Sequence, residues 1–290
     1  NGHFRDKQKY FCKSCGTFFL NKSRKSVLQK VLWKKYVWHR QTARQLAEEY
    51  QRSESWIRKQ LDEFSVKKPI IKSQPVVIIA DMTFIKRTFG VAVARAPHLK
   101  KNLAWKMSLT ENVEIYRELR WQLWTRGFEL QAAVIDGRPG LIEVFWDMPI
   151  QMCHFHQMQI MTRYLTTRPK LIAGQILRQI ALCIPKSDED EMKEILDGWH
   201  RKWKDFLKEK TYNPETNRWF YTHKRLRSAY RSITRNLPLL YTYQKYPELK
   251  IPNTTNSLDG TFSHLKDMLR IHRGLKKSRK LKLIDEFLTK

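Results

Sequence analysis

Three largely apolar segments between residues 76 and 109 constrain the fold more than any other feature of the sequence. Short turns join the segments Val76–Phe84, Gly90–Arg95 and Leu103–Leu109, which predicts an antiparallel meander of three strands. A helical pattern over Glu111–Arg126 and a further strand over Glu129–Ile135 follow, and this order is typical of a parallel crossover. We therefore predict an α/β fold, in which a mixed sheet carries helices on its faces.

The pattern of the chain changes after residue 156. A short helix over residues 141–146, a strand over 149–153 and a helix over 156–165 complete the sheet region. Residues 157–252 are almost wholly helical in pattern, so we predict an all-α insertion there. Trp199 and Trp203 have helical spacing within it, which favours packing in a core over stacking on nucleic-acid bases.

Three aspartates stand at the ends of predicted elements. Asp81 and Asp136 each end an apolar run, and Gly137 follows the second. Asp259 falls in the first turn of a helix, after a Thr/Asn cluster at residues 253–256 that suits capping. Carboxylates can hold two divalent ions roughly 3.5–4 Å apart, and such ions activate the attacking and leaving oxygens of a phosphoryl transfer. We therefore predict that Asp81, Asp136 and Asp259 converge and bind two Mg²⁺ (or Mn²⁺) ions.

The charge of the chain indicates the class of substrate. The 290 residues include 56 Lys and Arg against 28 Asp and Glu, which gives a formal net charge of +28 at pH 7. Such an excess favours a polyanionic partner, and beside a phosphoryl-transfer site that partner is the DNA backbone. A basic protein whose charged faces are merely solvated is the alternative. No apolar run approaches the roughly 20 residues of a membrane span, so we expect a cytoplasmic protein without a membrane partner.

Cys12, Cys15 and Gly16 look like one knuckle of a zinc ribbon, because the glycine lets the backbone turn towards the thiolates. A structural zinc ion needs four ligands, so Zn²⁺ at Cys12 and Cys15 is an incomplete site, and we predict only a partial zinc-ribbon-like segment. The chain begins at Asn1 rather than Met, and one explanation is that a first Cys-x-x-Cys was lost upstream. Completion by His3 and another group is a second explanation, and a reduced pair without metal is a third.

Residues 42–64 have the pattern of a helix-turn-helix. The segments Thr42–Tyr50 and Glu54–Phe64 are amphipathic, and Ser53 is suited to cap the second helix. The second helix of such a motif enters the major groove of DNA. The side chains that would face DNA are Ser55, Arg58 and Lys59. Trp56, Ile57 and Leu61 would lie nearer the core, and a plain helical hairpin remains the alternative.

The C-terminal region carries a basic tail over residues 270–280, in which we expect Arg273, Lys276 and Lys277 to contact phosphate. A linker with prolines at both ends, Pro69 and Pro75, separates the N-terminal region from the sheet. We predict a partial zinc-ribbon-like segment at 1–25, a helix-turn-helix region at 26–68, and a catalytic domain made of 69–156 and 253–290. The all-α insertion at 157–252 interrupts that domain.

Four short motifs taken together point to a known family. They are Ala-Asp-Met-Thr at 80–83, Ile-Asp-Gly at 135–137, Cys-His-Phe-His-Gln at 153–157, and Asn-Thr-Thr-Asn-Ser-Leu-Asp-Gly at 253–260. In this combination the chain resembles bacterial insertion-sequence transposases of the Mutator-like superfamily, over nearly its whole length. The resemblance implies a ribonuclease H-like fold, DDE catalysis with Asp81, Asp136 and Asp259, and an α-helical insertion. It also implies double-stranded DNA partners, namely terminal inverted repeats and target DNA, on a bacterial chromosome, and we expect a homodimer.

The resemblance assigns roles to single residues. It implies metal-dependent cleavage and strand transfer, with Asp81 bridging both ions and Asp136 and Asp259 each binding one. Cys153 and His156 match the family's Cys-x-x-His, and we expect them to shape the active site by packing and hydrogen bonding, with zinc ligation as the alternative. The third acid of the family is usually Glu, and Asp259 stands in its place. Two alternatives therefore stay open: a silent DNA-binding protein derived from a transposase, and a ribonuclease H-like nuclease without strand transfer.

Overall fold

The computed structural model describes residues 2–4, 7–20, 24–67, 69–86, 89–272 and 274–289. The chain divides into two compact units, of which the first combines residues 1–69 with 265–290 and the second comprises residues 70–264. No described helix is both long enough and apolar enough to span a membrane.

The chain begins with three short strands and three helices: β1 (Gly2–Phe4), β2 (Lys7–Phe11), β3 (Phe18–Leu20), α1 (Arg24–Val37), α2 (Ala43–Glu49) and α3 (Glu54–Glu63). The sheet region follows: β4 (Pro75–Ile85), β5 (Phe89–Ala96), β6 (Lys101–Ser108), α4 (Val113–Thr125), β7 (Glu129–Ile135), α5 (Pro139–Val144) and β8 (Ile150–Met152). The remaining elements are α6 (His154–Leu165), α7 (Ile172–Leu182), α8 (Glu189–Trp203), β9 (Lys210–Asn213), β10 (Arg218–Tyr221), α9 (Lys224–Leu240), α10 (Thr242–Lys245), α11 (Asn256–Ile271) and α12 (Lys277–Thr289).

The second unit contains a mixed five-stranded sheet with the order β6-β5-β4-β7-β8. Strand β4 pairs antiparallel with β5, and β5 pairs antiparallel with β6. On its other side β4 pairs parallel with β7, and β7 pairs parallel with β8. The predicted α/β class and the mixed sheet are therefore confirmed.

Alternation along the central strands decides which side chains enter the core between the sheet and α4. Val76, Ile78, Ala80 and Met82 of β4 all belong to the cluster that contains Leu119 of α4. Successive side chains of a strand point to opposite faces, so the odd-numbered residues 77, 79 and 81 lie on the other face. The polar residue Asp81 therefore lies on the face opposite α4.

Helices α6 to α9 build a second hydrophobic cluster of the same unit, which includes Met161, Leu177, Leu196, Trp199 and Leu240. Trp199 is buried and its indole nitrogen donates a hydrogen bond to the Ala173 carbonyl at 3.1 Å. The expectation that this tryptophan packs in a core is confirmed.

The prediction that residues 157–252 are all α-helical was wrong at one place. Strands β9 and β10 form an antiparallel hairpin, with Trp219 opposite Tyr212 and Tyr221 opposite Lys210. Aromatic residues favour strands, and Asn217 in the turn has φ of +51°, a conformation that ends a helix. The surrounding Arg and Lys residues, which favour helices, had obscured this signal.

The first unit contains an antiparallel sheet in the order β1-β2-β3 and helices α1, α2, α3 and α12. The predicted caps are present: Thr42 forms a capping box with Gln45 at the start of α2, and Ser53 accepts from the Trp56 amide at the start of α3. Helix α3 buries Ile57 and Leu61, as its amphipathic pattern predicted.

The division of the chain differs from the predicted one at the C-terminal end. Residues 265–290 belong to the first unit, and the expected tail becomes helix α12 from Lys277 onwards. The cause is a set of contacts between α12 and α3. The buried guanidinium of Arg279 donates to both carboxylate oxygens of Asp62 at 2.6 and 2.9 Å, and the Lys282 ammonium donates to the Leu61 and Asp62 carbonyls.

Candidate active site

The parallel pairing of β4 and β7 brings two of the three aspartates together. Ile79 pairs with Val134 in the ladder, so two further residues along each chain bring Asp81 beside Asp136. Strand β7 ends at Ile135, whereas β4 continues to Ile85 and pairs Asp81 with Val93 of β5. The expectation that Asp81 ends its strand was therefore wrong, because the pairing with β5 extends β4 beyond it.

The two carboxylates also share a face of the sheet. Ala133 and Ile135 of β7 point into the same cluster as Ala80 and Met82, so the alternation places Asp136 with Asp81 on the opposite face. Gly137 then turns the chain with φ of +79°. A β-carbon at this position would lie 2.4 Å from the Met152 sulfur, so only glycine fits the turn after Asp136.

Asp259 lies in the first turn of α11, as predicted. Its amide donates a hydrogen bond to the Thr255 carbonyl at 3.3 Å, and Leu258 donates to the same carbonyl at 2.8 Å. Among the described residues, the Asp259 carboxylate has neither an ion pair nor a hydrogen-bond donor.

The electrostatics of Asp81 connect the three carboxylates. Burial raises the pKa of Asp81 to about 6, and the charges of Asp259 and Asp136 add to the increase. The positive charge of His156 and a hydrogen bond from the Met82 amide, at 2.8 Å, act in the opposite direction. Asp136 and Asp259 therefore each lie within electrostatic range of Asp81, although 55 residues separate the first two aspartates and 123 the last two (136 − 81 and 259 − 136).

Sequence reasoning missed a network around Asp136. Arg138 donates from its amide and its Nε to the Asp136 carboxylate, and its guanidinium also contacts Glu111. Tyr116 donates its hydroxyl to Glu111 at 2.6 Å. Burial would lower the pKa of Arg138, but the carboxylates of Asp136 and Glu111 outweigh burial and raise it. Burial raises the pKa of Tyr116 far above its ordinary value, and Glu111 adds to this.

The Cys153 backbone and thiol join the segments that carry Asp136 and Asp259. The Cys153 amide donates to the carbonyl of Ile135, the residue before Asp136, at 2.8 Å. The Thr255 amide donates to the Cys153 sulfur at 3.3 Å, and the Thr255 hydroxyl lies 3.4 Å from it. A further backbone bond runs from the His154 amide to the Asn253 carbonyl at 2.9 Å. These contacts fix the start of α11 against the end of β7.

Cys153 and His156 influence each other's ionisation. Burial would raise the pKa of the Cys153 thiol, but hydrogen bonds with His156 and Thr255 hold it below its ordinary value. Burial would lower the pKa of His156, but Cys153 and the charges of Asp81 and Asp136 raise it to about 9. The raised pKa favours the cationic form of His156 at neutral pH, and its charge lies within electrostatic range of Asp81. His154, in contrast, is buried and bonded through its Nε2 to the Leu240 carbonyl at 2.7 Å.

The carboxylates fit divalent cations by their chemistry. They supply only oxygen donors, which Mg²⁺ prefers, and neither Asp81 nor Asp259 forms an ion pair with Lys or Arg in the described part of the chain. No group of three or more His, Cys, Asp or Glu side chains among the described residues is arranged so that it could hold a metal ion. A two-ion site needs only two protein carboxylates for each ion, with water or substrate completing the shell.

Cys12 and Cys15 lie in the loop between β2 and β3. Gly16 has φ of +69°, and its amide donates to the Cys12 carbonyl at 2.9 Å, so the tight turn is present. The Cys12 thiol lies 3.0 Å from the Ser14 hydroxyl, and the Cys15 thiol lies 2.9 Å from the Thr17 hydroxyl. Within the described ranges, no third ligand joins them, so these residues alone do not form a closed zinc site.

The residues predicted to contact DNA belong to the first unit. Ser55, Arg58 and Lys59 are exposed on α3, although Arg58 forms an ion pair with Glu54. Lys276 and Lys277 are also exposed. Arg273 lies outside the described residues.

Comparison with known proteins adds no relative: no protein-family model matches the chain, and no curated protein matches it.

Proposed function

We propose that the chain is a DDE-type DNA transposase of the Mutator-like class, which cleaves the ends of its element and transfers them into target DNA. One observation carries the proposal. The charges of Asp136 and Asp259 act on Asp81, which is half-buried at the point where β4 and β7 separate. Acids with a perturbed pKa, such as Asp81, are found at functional sites more often than elsewhere.

A ribonuclease H-like catalytic domain is part of the proposal. Its support is the strand order β6-β5-β4-β7-β8, with three antiparallel strands followed by two parallel ones. The three acids fit this arrangement. Asp81 lies on the central strand β4, Asp136 follows its parallel neighbour β7, and Asp259 lies on α11, after the long insertion. The motifs at 80–83, 135–137, 153–157 and 253–260 support the same assignment.

Asp81 would be shared by two Mg²⁺ or Mn²⁺ ions, with Asp136 and Asp259 each holding one. Bound there, the ions would neutralise phosphate charge and activate the attacking and leaving oxygens of an in-line displacement. The chain's own residues have separate tasks. Arg138 and the turn at Gly137 orient the Asp136 carboxylate, and Cys153 positions the first turn of α11 through Thr255. Protonated His156 supplies a positive charge beside Asp81, where a scissile phosphate would bind.

Recognition of the element's ends would rest on the first unit. We assign α2 and α3 to a helix-turn-helix, supported by the caps at Thr42 and Ser53 and by exposed Ser55, Arg58 and Lys59. Exposed Lys276 and Lys277 would contact phosphates, and Arg273 keeps the same assignment from its place in the basic segment. The zinc-ribbon-like assignment of residues 1–25 rests only on the turn at Cys12–Gly16.

The hairpin β9–β10, together with Lys224 at the start of α9, offers a further basic surface for DNA. Lys210, Arg218 and Lys224 are exposed, and none of them pairs with an acid in the described ranges. Positive charges without internal partners remain available to phosphates, and each phosphate contact releases counterions.

A silent DNA-binding protein derived from a transposase is the second candidate, and one observation favours it. Arg138 already neutralises Asp136, so a metal ion would have to compete with an internal ion pair. Asp259 also has a shorter side chain than the Glu that the resemblance leads us to expect, which alters the reach of the third ligand.

The two candidates differ in the effect of Asp136→Asn. We would measure Mg²⁺-dependent cleavage and strand transfer on a DNA that carries the sequences flanking the gene. For the transposase, both activities should fall by at least about 10³-fold while DNA binding persists, because one ion loses its ligand. Asp190→Asn, an exposed acid of α8, is the matched control and should retain full activity. Equal activity of wild type and Asp136→Asn would refute the catalytic assignment, and an inactive wild type that binds DNA would favour the silent protein.

A further inference from the structure

Three tryptophans are exposed together on the second unit, on and near helices α4 and α5. Trp121, Trp124 and Trp146 expose 60%, 71% and 77% of their surface. They line a shallow groove of about 370 Å³ together with Arg117, Arg120 and Glu143. Large apolar side chains grouped in this way mark an interaction site, because solvated surfaces seldom carry such patches. We call this set of residues the tryptophan face.

Both arginines of the tryptophan face form ion pairs with neighbouring acids. Arg117 forms an ion pair with Glu114, and Arg120 forms one with Asp147 and also donates to the Val144 carbonyl. Glu143 is exposed and has no cationic partner in the described part of the chain. The face is therefore neutral or slightly acidic in a chain whose net charge is +28. Phosphate groups would find no free cation here, which argues against a nucleic-acid ligand.

We infer that the tryptophan face is the surface on which a second copy of this chain docks. Two copies that each carry +28 repel one another, and they can approach closely only where the local charge is not positive. A two-fold interface brings the same patch of both copies together, so the patch must complement itself. The tryptophan face meets this condition, because it carries both Arg117 and Glu143 around an apolar centre. Trp and Arg are also the residues that contribute most to binding at interfaces.

The size of the face agrees with a dimer contact. Exposed tryptophans bury about 150–250 Å² each, so three of them supply more than half of the roughly 800 Å² that each partner contributes to a standard interface. The flanking ion pairs would form the polar rim that surrounds such a centre. The inference concerns self-association only, and it stands or falls independently of the proposed catalysis.

The test is sedimentation velocity on the full chain, without DNA, over a concentration range up to tens of micromolar. The wild type should be a dimer, and the double variant Trp124→Ser/Trp146→Ser should dissociate with a dimer constant weakened by about 30-fold or more. Trp219→Ser is the matched control, because Trp219 is 66% exposed but lies on the hairpin β9–β10. The control should dimerise as the wild type does.

Two results would overturn the inference: a wild type that stays monomeric, or a double variant whose dimer is as tight as the wild type's. Loss of the dimer in Trp219→Ser as well would also contradict it, because the contact would then not be specific to the face. Hydrogen exchange on the unmodified chain tests the inference without any variant, so it does not depend on whether the double variant folds. Residues 113–125 and 139–146 should gain protection as the concentration rises, and equal protection at all concentrations would refute docking there.

Discussion

The tryptophan face and the hairpin β9–β10 look alike in composition and differ in charge pairing. Both expose tryptophan beside arginine, with Trp121, Trp124 and Trp146 on one and Trp219 on the other. On the face, two arginines are paired with Glu114 and Asp147. On the hairpin, the exposed cations have no acidic partner among the described residues.

The difference shows that composition alone does not identify the partner of an aromatic, arginine-containing surface. A guanidinium that already has a carboxylate partner must break that pair before it can bind phosphate, whereas an unpaired one exchanges only water and counterions. The hairpin therefore suits a polyanion, and the tryptophan face suits a surface with its own balanced charges.

Removing the unpaired charges of the hairpin should have the largest effect on DNA affinity. We expect Lys210→Ala/Arg218→Ala/Lys224→Ala to weaken binding about 100-fold near physiological salt and to reduce the slope of log K against log salt by about 2.7. The triple variant Lys193→Ala/Arg201→Ala/Lys202→Ala on α8 removes the same charge from exposed positions and is the control. Titration of a fluorescent duplex at several salt concentrations measures both quantities. Equal losses in the two variants would mean that only net charge matters, and that the hairpin is not a contact.

Removing the acidic partners of Arg117 and Arg120 should make the tryptophan face bind DNA as the hairpin does, with a smaller effect on DNA affinity. In Glu114→Gln/Asp147→Asn, Arg117 and Arg120 lose their partners, so we expect DNA affinity to rise about 10-fold and the salt slope to steepen by up to about 1.8. The dimer should weaken in the same variant, because two newly positive faces repel. Affinity and sedimentation measured on one preparation test both parts. An unchanged salt slope would show that ion pairing does not separate the two surfaces.

The pair between Arg279 and Asp62 provides the smallest test of the same principle, within the first unit. The hydrogen bond from Arg279 lowers the pKa of Asp62 below its ordinary value. A carboxyl whose pKa is lower in the folded than in the unfolded chain stabilises the fold at pH values above its unfolded pKa of about 3.9. This contribution is lost as the pH falls through the lower pKa of the folded state. Because Asp62 is half exposed, the contribution should stay under about 1 kcal/mol.

Thermal denaturation of wild type and Asp62→Asn would measure that contribution. The wild type should have the higher midpoint at pH above about 5, and the difference should shrink as pH falls below about 4. A difference that does not change with pH would show that Asp62 acts through packing alone.

Sequence patterns predicted the elements whose own residues determine them. Strand β7 was predicted at Glu129–Ile135 and found there, because its apolar run is bounded by Gly127 and Gly137. The caps at Thr42 and Ser53 were also local signals. The hairpin β9–β10 was missed, because its aromatic residues are interleaved with basic residues that favour helices.

The candidate site was predicted in part for a similar reason. Asp136 and Asp259 stand beside a strand end and in the first turn of a helix, and Asp81 ends an apolar run, and a sequence displays all three features. Glu111 joins the site through Arg138, a contact over 27 residues that no periodicity reveals, and Tyr116 joins it by donating to Glu111. The assignment of residues 265–290 failed likewise, because the pairing of Arg279 with Asp62 connects positions 217 residues apart.

The bond between Thr255 and Cys153 has a consequence for the order in which the protein can mature. It joins residues 102 positions apart, and the later of the two is Thr255. The bond can therefore form only after most of the chain has left the ribosome. Asp81 and Asp136 share a sheet that is complete by residue 152, but the third carboxylate arrives more than a hundred residues later. Domains generally fold as they emerge, so a nascent or truncated chain would hold two of the acids without the third. Synthesis itself would therefore keep an enzyme of the proposed kind inactive until its C-terminal helices had emerged.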